Sequence, residues 1–261
     1  MRPGRRVLIT AGVLLLAAAA LLCCLPARWA MPWIAPRLHG LALGEVHGSL
    51  WDGQADEVRS ADGRVLGALH WQLSRQALLG RLALALQLEG PQLDFRGRLQ
   101  RDAPTQFTWE DVHLRVDLAA FAPSLPALGG APRGALQLSF DRLQLQGVWP
   151  LQGQGEVQWR DAELLTARGQ VPLGQLAARL SAEQGVLQGA FGDDGHGPLA
   201  ARGRWRASPL GWRLEAQLAP RGEAPALRRW LATLGTPDAQ GRVNLTRHGG
   251  LMGGQALPQA P

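Results

Sequence analysis

Apolar and polar residues alternate in short segments along most of this chain, and this period of two constrains the fold more than any other feature. The clearest case is Val112, Leu114, Val116 and Leu118, which are interleaved with His113, Arg115 and Asp117. Such alternation places apolar and polar side chains on opposite faces of a β-strand. The pattern recurs at 82–88, 136–140, 155–159, 176–180 and 212–218. We therefore expect an all-β protein.

Glycine and proline separate these segments at short spacing. Asp62-Gly63, Gly129-Gly130 and the run from Gly192 to Pro198 are turn signals typical of antiparallel hairpins. Asp193-Asp194-Gly195 also raises the possibility of a calcium loop, but the alternating ligands of an EF-hand are missing. A mainly antiparallel sheet with a hairpin turn at 193–195 is expected.

One segment has helical periodicity. Its apolar residues are Leu227, Trp230, Leu231 and Leu234, preceded by Pro225 and followed by Gly235 and Pro237. Proline at the start and glycine past the end are helix boundary signals. They predict one short helix from Pro225 to Leu234, packed across one end of the sheet, and a last strand at 242–246. Residues 249–261 have little to bury, and we expect disorder there.

The N-terminal segment predicts a membrane anchor over residues 7–27. Nineteen uncharged, mostly apolar residues from Val7 to Leu25 make a helix of roughly 28 Å, close to the thickness of a bilayer core. A cleaved signal peptide usually has an apolar region of about 7–15 residues and a small-x-small site. Cleavage after Ala27 or Ala30 fits that rule poorly, so an uncleaved helix is favoured and cleavage remains the alternative.

Charge gives this helix an orientation. Three of the first six residues are arginine, which places residues 1–6 in the cytoplasm by the positive-inside rule. The residues assigned to the anchor and its exit from lipid are Val7, Leu14, Leu21, Leu25, Trp29 and Trp33, the two tryptophans forming an interfacial belt. Residues 37–248 then form a β domain outside the cytoplasm, in the periplasm of a Gram-negative cell.

The charge balance argues against nucleic acid as a partner. The formal net charge is +6, but residues 1–37 hold five of the 27 arginines and no acid, so the rest of the chain carries only +1. The chain after residue 37, with almost equal numbers of basic and acidic side chains, lacks the excess of positive charge that is typical of a nucleic-acid-binding protein. The only cysteines, Cys23 and Cys24, lie in the anchor, so the predicted β domain has neither disulfides nor thiolate metal sites.

The sequence shows no arrangement of residues typical of an enzyme. No two of the six histidines stand at a zinc-ligand spacing, and His39 and His47 are eight positions apart. No Gly-x-Ser-x-Gly turn occurs, and without lysine no Walker motif exists. We therefore predict no catalytic, metal or cofactor-binding residue. A scaffold, a periplasmic adaptor or a carrier of an apolar ligand is favoured.

Two groups of residues, in their order and spacing, resemble the type II secretion system protein N family. The first group is Gly44, Val46, Gly48, Ser49, Leu50, Trp51, Asp52 and Gly53, then Leu66, Gly67, Leu69, Trp71, Leu73, Leu78, Leu79, Gly80 and Leu82. The second is Gly211, Trp212, Leu214, Leu218, Leu227, Leu231, Leu234, Gly235, Pro237, Gly241, Arg242 and Leu245. Ser74 departs from the pattern, because the family has a proline after its Trp-x-Leu.

The resemblance implies a function. Members of this family are bitopic, accessory inner-membrane proteins of the machine that exports folded proteins from the periplasm through an outer-membrane secretin. Expected partners are the secretin or inner-membrane platform subunits. Relatives with AsmA-like character imply a curved, groove-forming sheet. An AsmA-like carrier that shields membrane lipid in an apolar groove is the alternative.

Gly48, Leu50 and Trp51 are candidates for an ordered segment near the membrane. In one interpretation they form an interface with a partner protein. In the other, which is favoured, they form a tight turn that leads into a strand, with Trp51 in the core.

Overall fold

The computed structural model describes Pro26, Ala27 and Trp29 together with residues 40–121 and 129–250. The predicted cytoplasmic tail (1–6), almost all of the predicted anchor (7–27), Trp33 and residues 251–261 lie outside the described residues. Among the helices that the structure describes, none is long and apolar enough to cross a membrane. The chain forms two compact units: unit 1 comprises residues 1–91 and 98–100, and unit 2 comprises residues 92–97 and 101–261.

Unit 1 is an antiparallel sheet. Its strands are β1 (Ala42–Leu43), β2 (Val46–Gly48), β3 (Asp52–Arg59), β4 (Val65–Leu73) and β5 (Ala83–Glu89), and a 3₁₀ helix (Arg75–Leu79) joins β4 to β5. Strands β1 and β2 pair with opposite ends of β3, which pairs with β4, which pairs with β5. Ala27, Ala55 and Trp71 form its buried centre.

Unit 2 is a meander in which each strand from β7 onward pairs antiparallel with the next. After β6 (Leu93–Ala103), which has residues in both units, the order is β7 (Gln106–Asp117), α1 (Leu118–Phe121), β8 (Ala131–Gln146), β9 (Trp149–Thr166), β10 (Gly169–Glu183), β11 (Val186–Asp193), β12 (Leu199–Ser208), β13 (Gly211–Pro220), α2 (Pro225–Leu234) and β14 (Val243–Gly250). The predicted antiparallel β architecture is confirmed, and α2 has the predicted bounds.

Three strands are longer than the alternation indicates. Strands β8, β9 and β10 have 16, 18 and 15 residues. Their pairing register shifts between Arg133 and Ala135, between Phe140 and Arg142, and between Pro172 and Leu176. A bulge adds an unpaired residue and reverses the alternation beyond it. The sequence pattern therefore marks only the regular middle of each strand.

The two faces of the unit 2 sheet differ in chemistry. One row, running strand to strand, consists of Leu114, Leu138, Val157, Ala178 and Phe191. Because neighbouring residues alternate, the opposite face carries polar rows. Helix α2 packs its buried Leu227, Trp230 and Leu231 onto the apolar face near Val171 and Val243. The main core of unit 2 lies at this helix-covered end.

Candidate functional site

The first group of motif residues forms a tight hairpin in unit 1. Strands β2 and β3 pair through Gly48 and Gly53, and residues 49–51 make the connection. The amide of Asp52 donates to Ser49 Oγ at 3.0 Å, and the amide of Ser49 donates to the Asp52 carbonyl at 2.8 Å. Serine and aspartate are residues whose short polar side chains stabilise turns. We call residues 48–53 the hairpin motif.

Trp71 of β4 holds the hairpin motif in place. Its indole Nε1 donates to the carbonyl oxygen of Leu50 at 3.2 Å, and the amide of Leu73 donates to the carbonyl oxygen of Trp51 at 2.7 Å. Trp51 is 6% exposed, which places its side chain in the interior. The favoured interpretation of Trp51 as a core residue agrees with this burial.

The described end of the predicted anchor contacts the hairpin motif. Pro26 forms an isolated antiparallel bridge with Ser49. Ala27 is fully buried in the cluster that contains Ala55 and Trp71. Trp29 is exposed, and its amide donates to the Pro26 carbonyl at 3.1 Å. The chain that leaves the predicted membrane segment is thus packed into unit 1 at the motif.

Gly67 has no room for a side chain. Its φ of +139° is in a region that other residues rarely adopt, and a Cβ there would lie 2.1 Å from the carbonyl oxygen of Glu89. A Cβ at the neighbouring Gly90 would lie 1.8 Å from the carbonyl oxygen of Leu66. Two backbones therefore approach each other at a position where the motif has glycine.

The Leu-Leu-x-Gly part of the motif forms an exposed, capped turn. Ser74 Oγ accepts from the Gln76 amide at the start of the 3₁₀ helix, and Gly80, with a φ of +82°, closes it. Leu79 is 83% exposed and Leu78 is also exposed. Ser74 has a φ of −65°, the value that a proline ring fixes. The departure at Ser74 therefore preserves the backbone conformation, and its hydroxyl supplies the cap.

The second group of motif residues connects α2 to β14. Gly235 follows the helix at Leu234, and a Cβ there would lie 3.0 Å from Val243 Cγ1. Residues 238–242 form a turn in which Asp238 accepts from the amides of Gln240 and Arg242 and from Arg242 Nε at 2.9 Å. These hydrogen bonds hold the pKa of Asp238 below its usual value, and the bond from the Arg242 amide has the largest effect. Burial acts in the opposite direction and is outweighed.

Pro237 precedes this turn, and Gly241 within it has a φ of +75°. Gly241 and Arg242 were predicted from the sequence as motif residues, whereas Asp238 was not. The sequence did contain a signal for Asp238, because an aspartate followed within four residues by Gly-Arg is typical of a turn that is capped by the aspartate side chain.

One group of potential metal ligands lies on the surface of unit 1. His47 Nε2 lies 3.2 Å from Asp56 Oδ2 and 3.8 Å from Glu45 Oε2. All three side chains are exposed. Histidine spacing did not reveal this group, because Glu45 directly precedes β2, His47 lies within β2, and Asp56 comes from β3. The His47–Asp56 contact is a diagonal cross-strand contact, since the residue directly opposite His47 is Gln54.

The described residues define a class of protein. It is an antiparallel β-meander protein with one packed helix, and its motif residues build turns and close backbone contacts. A family model described as "Type II secretion system (T2SS), protein N" matches residues 39–246. The chain belongs to that family.

Two curated relatives carry the name type II secretion system protein N. The protein from Vibrio cholerae serotype O1 is 26% identical over 238 residues, which cover 87% of this chain and 91% of the relative. The protein from Aeromonas hydrophila is 26% identical over 256 residues, which cover 94% and 98%. No solved structure matches the chain.

Proposed function

We propose that this chain is an accessory inner-membrane component of the type II secretion system. In this proposal the segment predicted over residues 7–27 crosses the membrane once, and its end at Pro26 and Ala27 lies outside the lipid against unit 1. Residues 1–6 are cytoplasmic, and the β domain lies in the periplasm. It supports the export of folded proteins by binding other components of the system, either the secretin or inner-membrane platform subunits, and not by catalysis. Family membership supports the role in secretion.

The exposed pair Leu78 and Leu79 is the observation that carries a binding role. Both leucines project from a turn that is capped at both ends, so their exposure is built into an ordered segment. Adjacent apolar side chains held on an ordered surface segment form a contiguous apolar patch, which is a feature of protein interaction sites. We therefore assign Leu78 and Leu79 to the contact with a partner subunit.

The bridge from Pro26 to the hairpin motif and the burial of Ala27 beside Ala55 support the topology. Because the end of the predicted membrane segment is packed against Ala55 and Ser49, unit 1 is held beside the point where the chain leaves the lipid. Leu79 belongs to the same unit. A partner that contacts it therefore lies close to the membrane surface.

An export assay with paired variants tests the proposal. Cells that carry Leu78→Ser and Leu79→Ser together should export a type II substrate at the level of a deletion strain, while Val148→Ser, which changes an almost fully exposed valine in unit 2, should export normally. A photo-crosslinker at position 79 should capture a secretin or a platform subunit. Normal export by the deletion strain, with no such crosslink, would overturn the proposal.

The apolar face of unit 2 favours a second candidate function, the AsmA-like lipid carrier. Leu114, Leu138, Val157 and Phe191 remain partly exposed beyond the end that α2 covers. Acyl chains bind to surfaces of this kind. Native mass spectrometry of the purified chain should then show stoichiometric phospholipid, and Val157→Asp should remove it. A lipid-free chain would contradict this candidate.

A further inference from the structure

Two arginines lie directly opposite each other on the polar face of unit 2. Arg206 of β12 pairs in register with Arg213 of β13. Both side chains are exposed, and neither guanidinium has a hydrogen bond or ion pair with any residue that the structure describes. Like charges at directly opposed positions destabilise an antiparallel pair. This pair therefore contributes nothing favourable to the fold.

The neighbouring arginines on the same strand show the contrast. Arg204 Nη2 lies 2.7 Å from Glu215 Oε2, and Arg202 Nε donates to Gln217 Oε1 at 2.8 Å. These arginines thus have cross-strand partners of suitable charge or polarity. Arg206 and Arg213 instead face each other across the two strands.

From β9 to β14 the row through this pair contains no carboxylate, and beyond Gln154 it continues through Arg142 to Glu110. From strand to strand the row runs Gln154, Ser181, Gln188, Arg206, Arg213 and His248. The nearest acid on β13, Glu215, already accepts from Arg204. Positive charge therefore collects on β12 and β13, while the row offers amide and hydroxyl groups from β9 to β11.

A broad cavity of about 940 Å³ lies over this row. Arg206 and Arg213 line it with Gln188 and Ser181. Its carboxylates are Asp141, Glu156 and Glu215, of which Glu156 and Glu215 lie beside Arg179 and Arg204. Its lining combines the hydrogen-bond donors and acceptors of the polar face with apolar surface, which includes Trp205 and Leu180. Covering the two unpaired guanidinium groups with a lipid acyl chain would cost desolvation energy. An extended polypeptide with carboxylate side chains matches both the hydrogen-bonding groups and the unpaired charge.

We propose that the Arg206–Arg213 pair binds an acidic, extended segment of a partner protein in this cavity. Carboxylates of that segment accept from the two guanidinium groups and relieve their mutual repulsion. This inference rests on the proposed function, since it names the chemistry of one partner surface. It concerns unit 2 and is independent of Leu78 and Leu79.

Peptide binding to the full-length chain in detergent micelles tests the inference. The probe is a fluorescently labelled decapeptide of alternating glutamate and threonine, and the matched probe has glutamine in place of glutamate. We expect the glutamate peptide to bind, with an affinity that falls as salt rises, and the glutamine peptide not to bind. Arg206→Gln with Arg213→Gln should weaken binding at least about tenfold.

The control variant is Arg168→Gln with Arg229→Gln, which removes two exposed charges outside the cavity. It should bind the glutamate peptide within about twofold of the unmodified chain. The Arg206/Arg213 variant should also have an unchanged or higher Tm, because it loses a like-charge pair. A clear fall in Tm would assign the arginines a structural role and overturn the inference.

The inference would also be overturned if both double variants bound the glutamate peptide equally well. It would be overturned as well if phosphatidylglycerol vesicles bound to the chain through these arginines and the peptide did not bind. The export assay separates this failure from failure of the proposed function. Normal export by the Arg206/Arg213 variant, with loss of export in the Leu78/Leu79 variant, refutes only the acidic-segment site. Normal export by the deletion strain refutes the proposed function itself.

Discussion

Gly53 lies directly against the indole ring of Trp71, so that a Cβ atom at position 53 would come within 2.4 Å of ring carbon Cζ2. The ring cannot move away freely, because its Nε1 donates to the Leu50 carbonyl. Gly53→Ala should therefore lower the free energy of unfolding by about 1–3 kcal/mol, the usual cost of overpacking. Urea denaturation followed by circular dichroism measures it.

The control for this substitution is Gly192→Ala. The nearest atom to a Cβ at position 192 is 3.5 Å away, which is an ordinary contact. This variant should be as stable as the unmodified chain or slightly more stable, because alanine has less freedom to lose on folding. Equal stability of both variants would show that Trp71 does not pack on Gly53 as described.

Trp51→Ala distinguishes a core residue from an interface residue. The side chain is 6% exposed, so its removal should leave a cavity and cost about 3–5 kcal/mol. Val148→Ala, at a valine that is 94% exposed, should cost less than about 1 kcal/mol. A Trp51→Ala chain with an unchanged urea midpoint that no longer binds its partner would instead assign Trp51 to an interface.

Local patterns in the sequence predicted the strands and the helix, but not which residues of neighbouring elements contact each other. The helix at Pro225–Leu234 was predictable because Pro225, Gly235 and the apolar spacing agree. The bulges near Gly134 and Gly174 were not, since a register shift depends on the partner strand. For the same reason, no local pattern indicates that Arg206 faces Arg213, or that His47 meets Asp56.

The motif glycines could be recognised but not explained from the sequence. The close approach of Gly67 to Glu89 joins residues more than twenty positions apart, and only the pairing of β4 with β5 creates it. Leu79 was identified with the same motif, yet its exposure follows from the caps at Ser74 and Gly80. Alternation separates two faces of a strand and gives no information about a 3₁₀ turn.

Leu231→Ala tests the contribution of α2 to unit 2. Leu231 is buried in the cluster with Leu227, Val171 and Val243. Truncation should lower the free energy of unfolding by about 2–5 kcal/mol, because the loss of buried methyl groups leaves a cavity. Leu210→Ala, at an exposed leucine between β12 and β13, should have almost no effect. Differential scanning calorimetry of both variants measures the difference, and similar Tm values would argue against packing of α2 on the sheet.

Asp193 gives unit 2 a defined dependence on pH. Its side chain is 8% exposed, and Oδ2 lies 2.6 Å from Arg221 Nη1. Burial acts to raise the pKa of Asp193, but the hydrogen bonds from Arg221 and from the amides of Ala201 and Gly195 outweigh it, so the pKa lies below its usual value. These bonds also make residues 193–195 a turn, as the sequence predicted.

A lowered carboxyl pKa means that the folded state binds its proton less readily than the unfolded state. The stabilisation is therefore complete above the unfolded pKa of about 4 and is lost as the pH falls through the folded value. Asp193→Asn should lose about 2 kcal/mol at pH 7, because an amide cannot replace a carboxylate in the bond to Arg221. The difference from the unmodified chain should shrink as the pH is lowered from 5 towards 2. Urea titrations across this range measure it, with the exposed Asp141→Asn as control, and a difference that does not change with pH would exclude the charged pair as its source.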